Sequence, residues 1–193
     1  MQGLSTAIPL DPWMVDDHTF RIEQERKEKD HWFGAAHDSP IPHEARHTFK
    51  GLSYYPIDPA LRFRLRIVDF PKEEVLTLPT SKGTEQQYLR YGYFEFSVGG
   101  QTVRLHAYRK VHAHSAHESL FVPFRDATSA KETYGAGRYL DLDFEPSGVY
   151  DVDFNRAYNP YCAYSDDFVC PFPPPENWLT VPIRAGEKTW GTP

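Results

Sequence analysis

The two adjacent glycines at positions 99 and 100 constrain the fold more than any other feature of this chain. They separate Tyr88–Val98 from Gln101–Arg109, two segments in which apolar and polar residues alternate. Two glycines supply the positive φ angles of a tight primed turn, so the pattern predicts a β-hairpin. A two-residue loop also fixes the register. The predicted cross-strand pairs are Phe96 with Val103 and Phe94 with Leu105 on the apolar face, and Glu95 with Arg104, Tyr93 with His106 and Tyr91 with Tyr108 on the polar face.

A second hairpin is predicted nearer the C-terminus, where Tyr139–Phe144 and Tyr150–Phe154 alternate around a Pro-Ser-Gly turn. Its predicted register stacks the apolar residues of the two strands on one face and aspartates on the other. Like charges directly opposite each other destabilise a hairpin. Solvent, a divalent cation or the arginines of the alternating segment Leu61–Ile67 would have to offset them, and a solvated or arginine-paired outer face is the preferred interpretation. The predicted aspartate pairs are Asp143 with Asp151 and Asp141 with Asp153, and the arginines are Arg62, Arg64 and Arg66.

These patterns together indicate a mainly β protein, a single curved antiparallel sheet system that forms a barrel or a sandwich. Aromatic residues make up 15% of the chain, which argues against disorder, and its 17 prolines argue against a helix bundle. We expect a single domain over residues 1–193, with a β core over 50–188. A charged stretch predicts an N-terminal helix over 14–33, pinned by Phe20, Trp32 and Phe33. Further strands are predicted at Val75–Leu78, Leu120–Phe124 and Leu179–Ile183.

Charge and hydropathy argue against two classes of binding partner, nucleic acids and membranes. The net charge of −6 argues against a nucleic-acid binder, which would be basic. No apolar run approaches the length of a membrane span, and Met1–Trp13 lacks a signal-peptide pattern. We therefore expect a cytoplasmic protein that binds neither nucleic acid nor membrane, with a small molecule as its candidate partner; the oligomeric state stays open.

The polar face of the first hairpin is the first candidate site. If it lines a cavity, His106 would serve as the acid–base group, with Glu95 or Asp153 as its orienting carboxylate. Tyr93, Arg104 and Tyr108 share this face in the predicted register and would contact a ligand. The alternative interpretation is a hydrogen-bonded histidine on a partly covered sheet.

The run from His112 to His117 is the second candidate. Its three histidines have the spacing of the HxHxDH metal motif of metallo-β-lactamase-like hydrolases, but Ala116 stands in place of the aspartate. A polar loop between strands is therefore the preferred interpretation. The sequence also lacks a GxSxG elbow, a Walker loop, a GxGxxG turn, an HExxH helix and a CxxC pair. Nucleotide-dependent chemistry is consequently unsupported.

The segment from Asp153 to Asn177 is the third candidate, because it is dense in Tyr, Asn, Pro and Cys and has no strand or helix period. A loop this long inside a domain is usually functional or held in a special way. Its two cysteines, Cys162 and Cys170, are the only ones in the chain. They would be free thiols, a short-loop disulfide or two ligands of a divalent metal, and the spacing leaves all three open.

The C-terminal half also carries a recognisable pattern of short motifs. In order they are Phe121-Val-Pro-Phe-Arg-Asp126, Tyr134-Gly-Ala-Gly-Arg-Tyr-Leu140, Asp153-Phe-Asn155, Ala157-Tyr-Asn-Pro160, Cys162-Ala-Tyr164, Cys170-Pro171, Glu176-Asn177 and Ala185-Gly-Glu187. This chain thereby resembles the bacterial and archaeal family known as domain of unknown function 1684. The resemblance implies no activity. It singles out Arg138, Asn155, Tyr158, Asn159, Cys162, Cys170 and Asn177 among the residues to consider.

Three functional hypotheses follow. The first is a small-molecule-binding β protein with a polar and aromatic pocket under the 155–177 loop, in which Arg138, Asn155, Tyr158, Asn159 and Asn177 contact the ligand. The second is a hydrolase or lyase that uses His106 as acid or base; no motif implies a cofactor, and a divalent metal could assist the reaction. The third is a structural or interaction module without a pocket.

Overall fold

The computed structural model describes residues 13–111 and 119–191, apart from the side chains of 13–16 and 73. It confirms a mainly β protein with an N-terminal helix, α1 (Trp13–Ala35), followed by a short helix, α2 (His43–Arg46). Seven strands follow. They are β1 (Arg62–Arg66), β2 (Val68–Pro79), β3 (Glu85–Val98), β4 (Gln101–Lys110), β5 (Ser119–Phe124), β6 (Arg138–Asp143) and β7 (Val149–Asp153).

The strands form two antiparallel sheets that face each other. Five strands form one sheet in the order β2-β3-β4-β5-β6, and β1 pairs with β7 in the other. Side chains from both sheets meet in one core, where the Phe94 and Tyr150 rings lie 5.5 Å apart and the Phe63 and Phe96 rings 4.7 Å apart. In the described residues the larger sheet does not close on itself, so the architecture is a sandwich and the barrel alternative is wrong.

The glycine-turn hairpin is confirmed as β3 and β4, with Gly99 and Gly100 both at positive φ. The register agrees with the prediction from Val98 back to Tyr93. Below that point the predicted pairing of Tyr91 with Tyr108 is wrong, because a bulge makes Arg90 the partner of Tyr108. The bulge adjoins Gly92, whose absent Cβ would lie 2.7 Å from the backbone oxygen of Val68. It reverses the alternation, so that Tyr88 and Arg90 share the outer face with His106.

The second predicted hairpin is wrong. β6 pairs with β5, and β7 crosses to the other sheet and pairs with β1. The predicted aspartate stack therefore does not form. Asp151 lies opposite Arg64 instead, and its carboxylate binds the Arg62 guanidinium at 2.6 Å. The arginines of β1 give these carboxylates the opposite charge that a hairpin of aspartates lacks.

Two chain segments on the C-terminal side of β7 are extended or irregular. The predicted strand Leu179–Ile183 is wrong, since its backbone bonds to loop groups: the Ile183 amide donates to the Asp126 carboxylate at 2.6 Å. The predicted irregularity of 155–177 is confirmed, and single 3₁₀ turns interrupt it. These turns are Phe154–Arg156, Tyr161–Ala163 and Pro175–Asn177. The segment covers the outer face of the larger sheet.

Helix α1 packs through a few apolar anchors and several polar ones. Ile22 and Phe33 are buried, whereas Phe20 is 62% exposed, so its predicted role as an anchor is wrong. His18 is buried instead and its Nε2 lies 2.6 Å from the Asp153 carboxylate. Of the helices in the described part of the chain, none combines the length and the apolar character needed to span a membrane.

Candidate ligand-binding site

A pocket of about 530 Å³ opens between the outer face of the five-stranded sheet and the irregular segment that follows β7. Strands β3 to β6 supply its floor, helix α1 supplies Lys29, and two stretches of the irregular segment supply its roof. Its volume is within the range of small-molecule sites. The lining residues are Lys29, Gln86, Tyr88, Lys110, Phe121, Tyr139, Asp141, Tyr158, Pro160, Tyr161, Phe168, Val169, Cys170 and Pro171.

Aromatic rings form a continuous wall along this floor. Phe121 stacks on Tyr88 with 5.2 Å between ring centroids and meets Tyr139 edge-on at 4.7 Å. Tyr158 continues the row at 5.8 Å from Tyr139. Tyr88 reaches this face only because the bulge beside Gly92 has reversed the alternation of β3. Each ring of the wall therefore packs against at least one other, in stacked or edge-on geometry.

The tyrosine hydroxyls of the wall remain protonated at neutral pH. Burial raises the pKa of Tyr88 to about 12 and raises the pKa values of Tyr139 and Tyr158 as well. Tyr88 donates to the Gln86 amide oxygen at 3.0 Å, and Tyr139 donates to the Pro171 carbonyl at 2.5 Å. These hydroxyls are therefore already committed as donors to the protein.

Three charged side chains border the pocket. Lys110 is exposed, and no ion pair found among the described residues includes it. The Lys29 ammonium is 2.6 Å from the Glu187 carboxylate and 4.9 Å from the centre of the Tyr158 ring. Asp141 accepts a hydrogen bond from the Tyr158 hydroxyl. Partial removal from water raises the pKa of Asp141, and the negative charge of Asp143 adds to the rise, whereas the hydrogen bond from Tyr158 opposes it.

His106 lies on the same face of the sheet but does not line this pocket. Its ring stacks on Phe70 at 5.8 Å and lies beside Tyr93, and its Nδ1 is 3.3 Å from the Asn177 side-chain oxygen. The predicted polar row is otherwise present: Glu95 accepts from Arg104 at 2.8 Å, and the Arg104 guanidinium lies over Tyr93. The structure thus brings His106, Tyr93, Glu95 and Arg104 onto one surface.

Asn177 fills the gap where β4 and β5 separate. Pro123 has no amide hydrogen, so the backbone ladder cannot continue there. The Asn177 side chain accepts from the His106 amide at 2.7 Å and donates to the carbonyls of His106 and Pro123 at 2.9 and 2.7 Å. Its neighbour Glu176 accepts from the buried Tyr108 hydroxyl and from Arg90. The side chains of Asn177 and Tyr108 therefore form hydrogen bonds within the protein that stabilise the fold.

Asp153 does not orient His106, and that expectation is corrected. It lies on β7, in the smaller sheet, where its carboxylate meets His18 and also accepts from the Asn155 side chain at 2.8 Å. Asn155 in turn exchanges hydrogen bonds with the backbone of Asp58, at 2.8 and 2.9 Å. This buried group joins helix α1 to the start of β1 and is apart from the pocket.

Arg138 and Asn159 hold the C-terminal segment. Arg138 is 1% exposed and donates to the carbonyls of Ile183, Ala185 and Glu187. The Asn159 amide donates to the Glu187 carboxylate at 2.7 Å, and its side chain donates to the Lys188 carbonyl at 2.8 Å. Of the ligand contacts expected from the sequence, Tyr158 is the one that lines the pocket.

Cys162 and Cys170 are both free thiols, and Cys170 also lines the pocket. Among the described residues, no group of three or more His, Cys, Asp or Glu side chains could hold a metal ion, so the two cysteines find no further ligand there. The histidine run from His112 to His117 falls outside the described residues.

Sequence reasoning missed Lys29, Gln86 and Lys110 as pocket residues. Lys29 comes from a helix remote in sequence, which no local pattern could place. Gln86 and Lys110 lie just beyond the ends of the predicted hairpin strands. They could have been found from the sequence only if the shift in register at Gly92 had been predicted. Tyr88 pairs with Lys110 in that register.

A family model described as "Protein of unknown function (DUF1684)" matches residues 47–188. The chain belongs to this family. The solution NMR structure of an uncharacterized protein from Haloarcula marismortui is similar, with 38% identity and a TM-score of 0.69 over 93% of this chain and 98% of that one. Curated proteins give no match. Every pocket residue except Lys29 lies within the range that the family model covers.

Proposed function

We propose that this protein binds a small planar molecule that carries an anionic group, in the pocket between the sheet and the segment after β7. The observation that carries the proposal is the combination, in one cavity of about 530 Å³, of an aromatic wall with Lys110, which has no ion-pair partner among the described residues. Pockets of this size with few polar groups typically orient a ligand by those groups.

The aromatic wall selects the shape of the ligand. Tyr88, Phe121 and Tyr139 present ring faces and edges along the floor. Aromatic rings contact other flat rings by offset stacking or edge-on packing, and each such contact adds about 0.5–1.5 kcal/mol beyond area burial. A flat, unsaturated ring therefore gains more from this wall than a saturated ring of equal size.

The charged groups select the substituents. Lys110 offers an ammonium group to an anion, and Lys29 adds positive potential although Glu187 partly neutralises it. Asp141 accepts from Tyr158 through one carboxylate oxygen, Oδ2, which leaves Oδ1 to accept from an N–H or O–H of the ligand. The expected ligand is thus a ring with an anionic group and a hydrogen-bond donor.

Three probes test these features separately by protein NMR chemical-shift titration. Indole-3-acetate has the ring, the donor and the anion; indole-3-acetamide lacks the charge; cyclohexylacetate lacks the flat ring. We expect indole-3-acetate to shift the resonances of pocket residues and to bind about two- to fivefold more tightly than either of the others. The charge contact of an exposed lysine contributes up to about 1 kcal/mol, and an aromatic contact contributes about 0.5–1.5 kcal/mol.

Lys110→Met keeps an unbranched side chain only one atom shorter and removes its charge, so it should weaken the binding of indole-3-acetate without affecting that of indole-3-acetamide. Lys131→Met is the matched control, because Lys131 is equally exposed and does not line the pocket. Equal binding of all three probes, or shifts that cluster away from the pocket, would contradict the proposal. Failure of every probe would favour the interaction-module hypothesis.

Acid–base catalysis in the same pocket is a second candidate function, favoured by the contact between the Tyr158 hydroxyl and the Asp141 carboxylate at the pocket wall. The enzyme hypothesis then has two rival acid–base groups, Asp141 and His106. A panel of aryl esters and aryl hydroxy acids would be assayed with Asp141→Asn and His106→Gln. Turnover that is lost in the first variant and kept in the second would assign the chemistry to the pocket; the reverse would assign it to His106.

A further inference from the structure

The two cysteines form a pair with different surroundings. Cys162 is partly exposed in the 3₁₀ turn Tyr161–Ala163, whereas Cys170 is buried. The backbone amide of Cys162 donates to the Cys170 sulfur at 3.3 Å, so the two cysteines lie side by side. We propose that Cys162 and Cys170 are a site of reversible thiol–disulfide exchange, in which Cys162 attacks and Cys170 resolves.

The contacts around Cys162 favour its thiolate. The Cys170 thiol is the main donor, and the Tyr134 hydroxyl lies 3.8 Å from the Cys162 sulfur. Together with Ser81 they lower the pKa of Cys162 to about 6, while the same contact with Cys162 raises the pKa of Cys170. Burial raises the pKa of the Tyr134 hydroxyl and the negative charge of Asp166 contributes to the rise, so this hydroxyl stays protonated as a donor. The thiolate is the nucleophile in exchange, so this asymmetry assigns the first attack to Cys162.

Backbone bonds hold the resolving cysteine in place. Ser81 lies in the turn between β2 and β3. Its backbone amide donates to the Cys170 carbonyl at 2.9 Å, and its hydroxyl oxygen accepts from the Cys170 amide at 3.1 Å. Cys162 is partly exposed and lies in a short turn. A mixed disulfide formed on Cys162 would therefore lie beside Cys170, whose backbone is held by Ser81.

The exchange balances with a small-molecule disulfide, RSSR, as oxidant. The Cys162 thiolate attacks one sulfur of RSSR, forms a mixed disulfide and expels RS⁻. Cys170 then loses its proton and attacks the Cys162 sulfur; the bridge forms, and a second RS⁻ leaves. The protein is oxidised by two electrons, and one RSSR becomes two RSH.

This proposal does not depend on the identity of the pocket ligand, although Cys170 lines that pocket.

The test uses the native, reduced protein and a dipyridyl disulfide, whose leaving thione is followed by absorbance while intact mass is recorded. We expect two thiones for each protein, a final mass lower by two hydrogens, and full recovery of the thiols with dithiothreitol. The rate should rise with a midpoint near pH 6, and at that pH it should exceed the rate of free cysteine by about tenfold, after allowance for the weaker nucleophilicity of a low-pKa thiolate.

Variants separate the two roles. Cys170→Ala should stop at the mixed disulfide with one thione, and its rate midpoint should move to higher pH because the main donor to Cys162 is gone. Cys162→Ser should react at least about tenfold more slowly at pH 6. A wild-type product that keeps pyridyl groups and forms no bridge would overturn the proposal. Equal rates for Cys162→Ser and the wild type would overturn it as well.

Discussion

Two regions of the molecule use their polar side chains differently. Around Arg138, the guanidinium donates to three backbone carbonyls and lies 3.5 Å from the Asp126 carboxylate. Around the pocket, Lys110 has no ion pair among the described residues and Asp141 accepts from Tyr158 through a single oxygen. In the first region the polar side chains hold the fold together, and in the second Lys110 and one Asp141 oxygen have no such role among the described residues.

Substitution of Arg138 should give the largest loss of stability. Arg138→Met removes a buried charge from the Asp126 carboxylate and leaves the carbonyls of residues 183, 185 and 187 without their donor. Breaking a buried ion pair from one side costs about 3–5 kcal/mol. Urea unfolding should show a loss of about 4 kcal/mol. A loss below about 1 kcal/mol would mean that solvent reaches these carbonyls, and the contrast between the regions would fail.

Asn177 should come next. Asn177→Ala leaves the amide and carbonyl of His106 and the carbonyl of Pro123 without partners in the gap between β4 and β5. Each buried unsatisfied group costs about 1–3 kcal/mol, and partial hydration reduces the sum. We expect a loss of about 3 kcal/mol in urea unfolding and faster hydrogen exchange at the His106 amide. Unchanged exchange there would show that the side chain does not replace the ladder.

Substitution of Asp141 tests the pocket region, where we expect only a small effect on stability. The folded protein raises the pKa of this carboxyl, so the native state holds its proton to higher pH than the unfolded chain does. Wild-type stability should therefore fall slightly as pH rises through the folded-state pKa, and Asp141→Asn should lack that fall. Exposure at the pocket mouth keeps the difference below about 0.5 kcal/mol. Asp69→Asn is the control, because Asp69 is also exposed, lies on β2 and does not line the pocket. A large destabilisation by Asp141→Asn would place this residue with the structural group.

Lys110 should show the smallest effect on stability. Lys110→Met breaks no ion pair among the described residues, so the free energy of unfolding should change by no more than about 0.5 kcal/mol, as should that of the Lys131→Met control. Thermal unfolding of both variants checks this. A marked loss for Lys110→Met alone would show that its charge serves the fold, and the pocket would lose its available cation.

The sequence by itself determined the local elements. Alternation and the glycine turn predicted β3 and β4 with the correct register from Val98 to Tyr93, because a two-residue turn leaves the strands no freedom to slide. The charged stretch before Gly34 predicted α1. The irregular segment after β7 was also predictable, because its prolines and lack of period exclude both regular structures.

Only the tertiary structure decided which strands pair across the two sheets and where each polar side chain ends up. β6 and β7 are close in sequence, yet β7 pairs with β1, whose arginines complement its aspartates. The bulge at Gly92 depends on the close approach of β2, and it turns Tyr88 toward the pocket. Lys29 joins that pocket from a remote helix. Strand pairing, bulges and burial depend on contacts between residues that are distant in sequence. A local sequence pattern shows the type of each residue but not the residue it contacts in the fold, so it could not predict them.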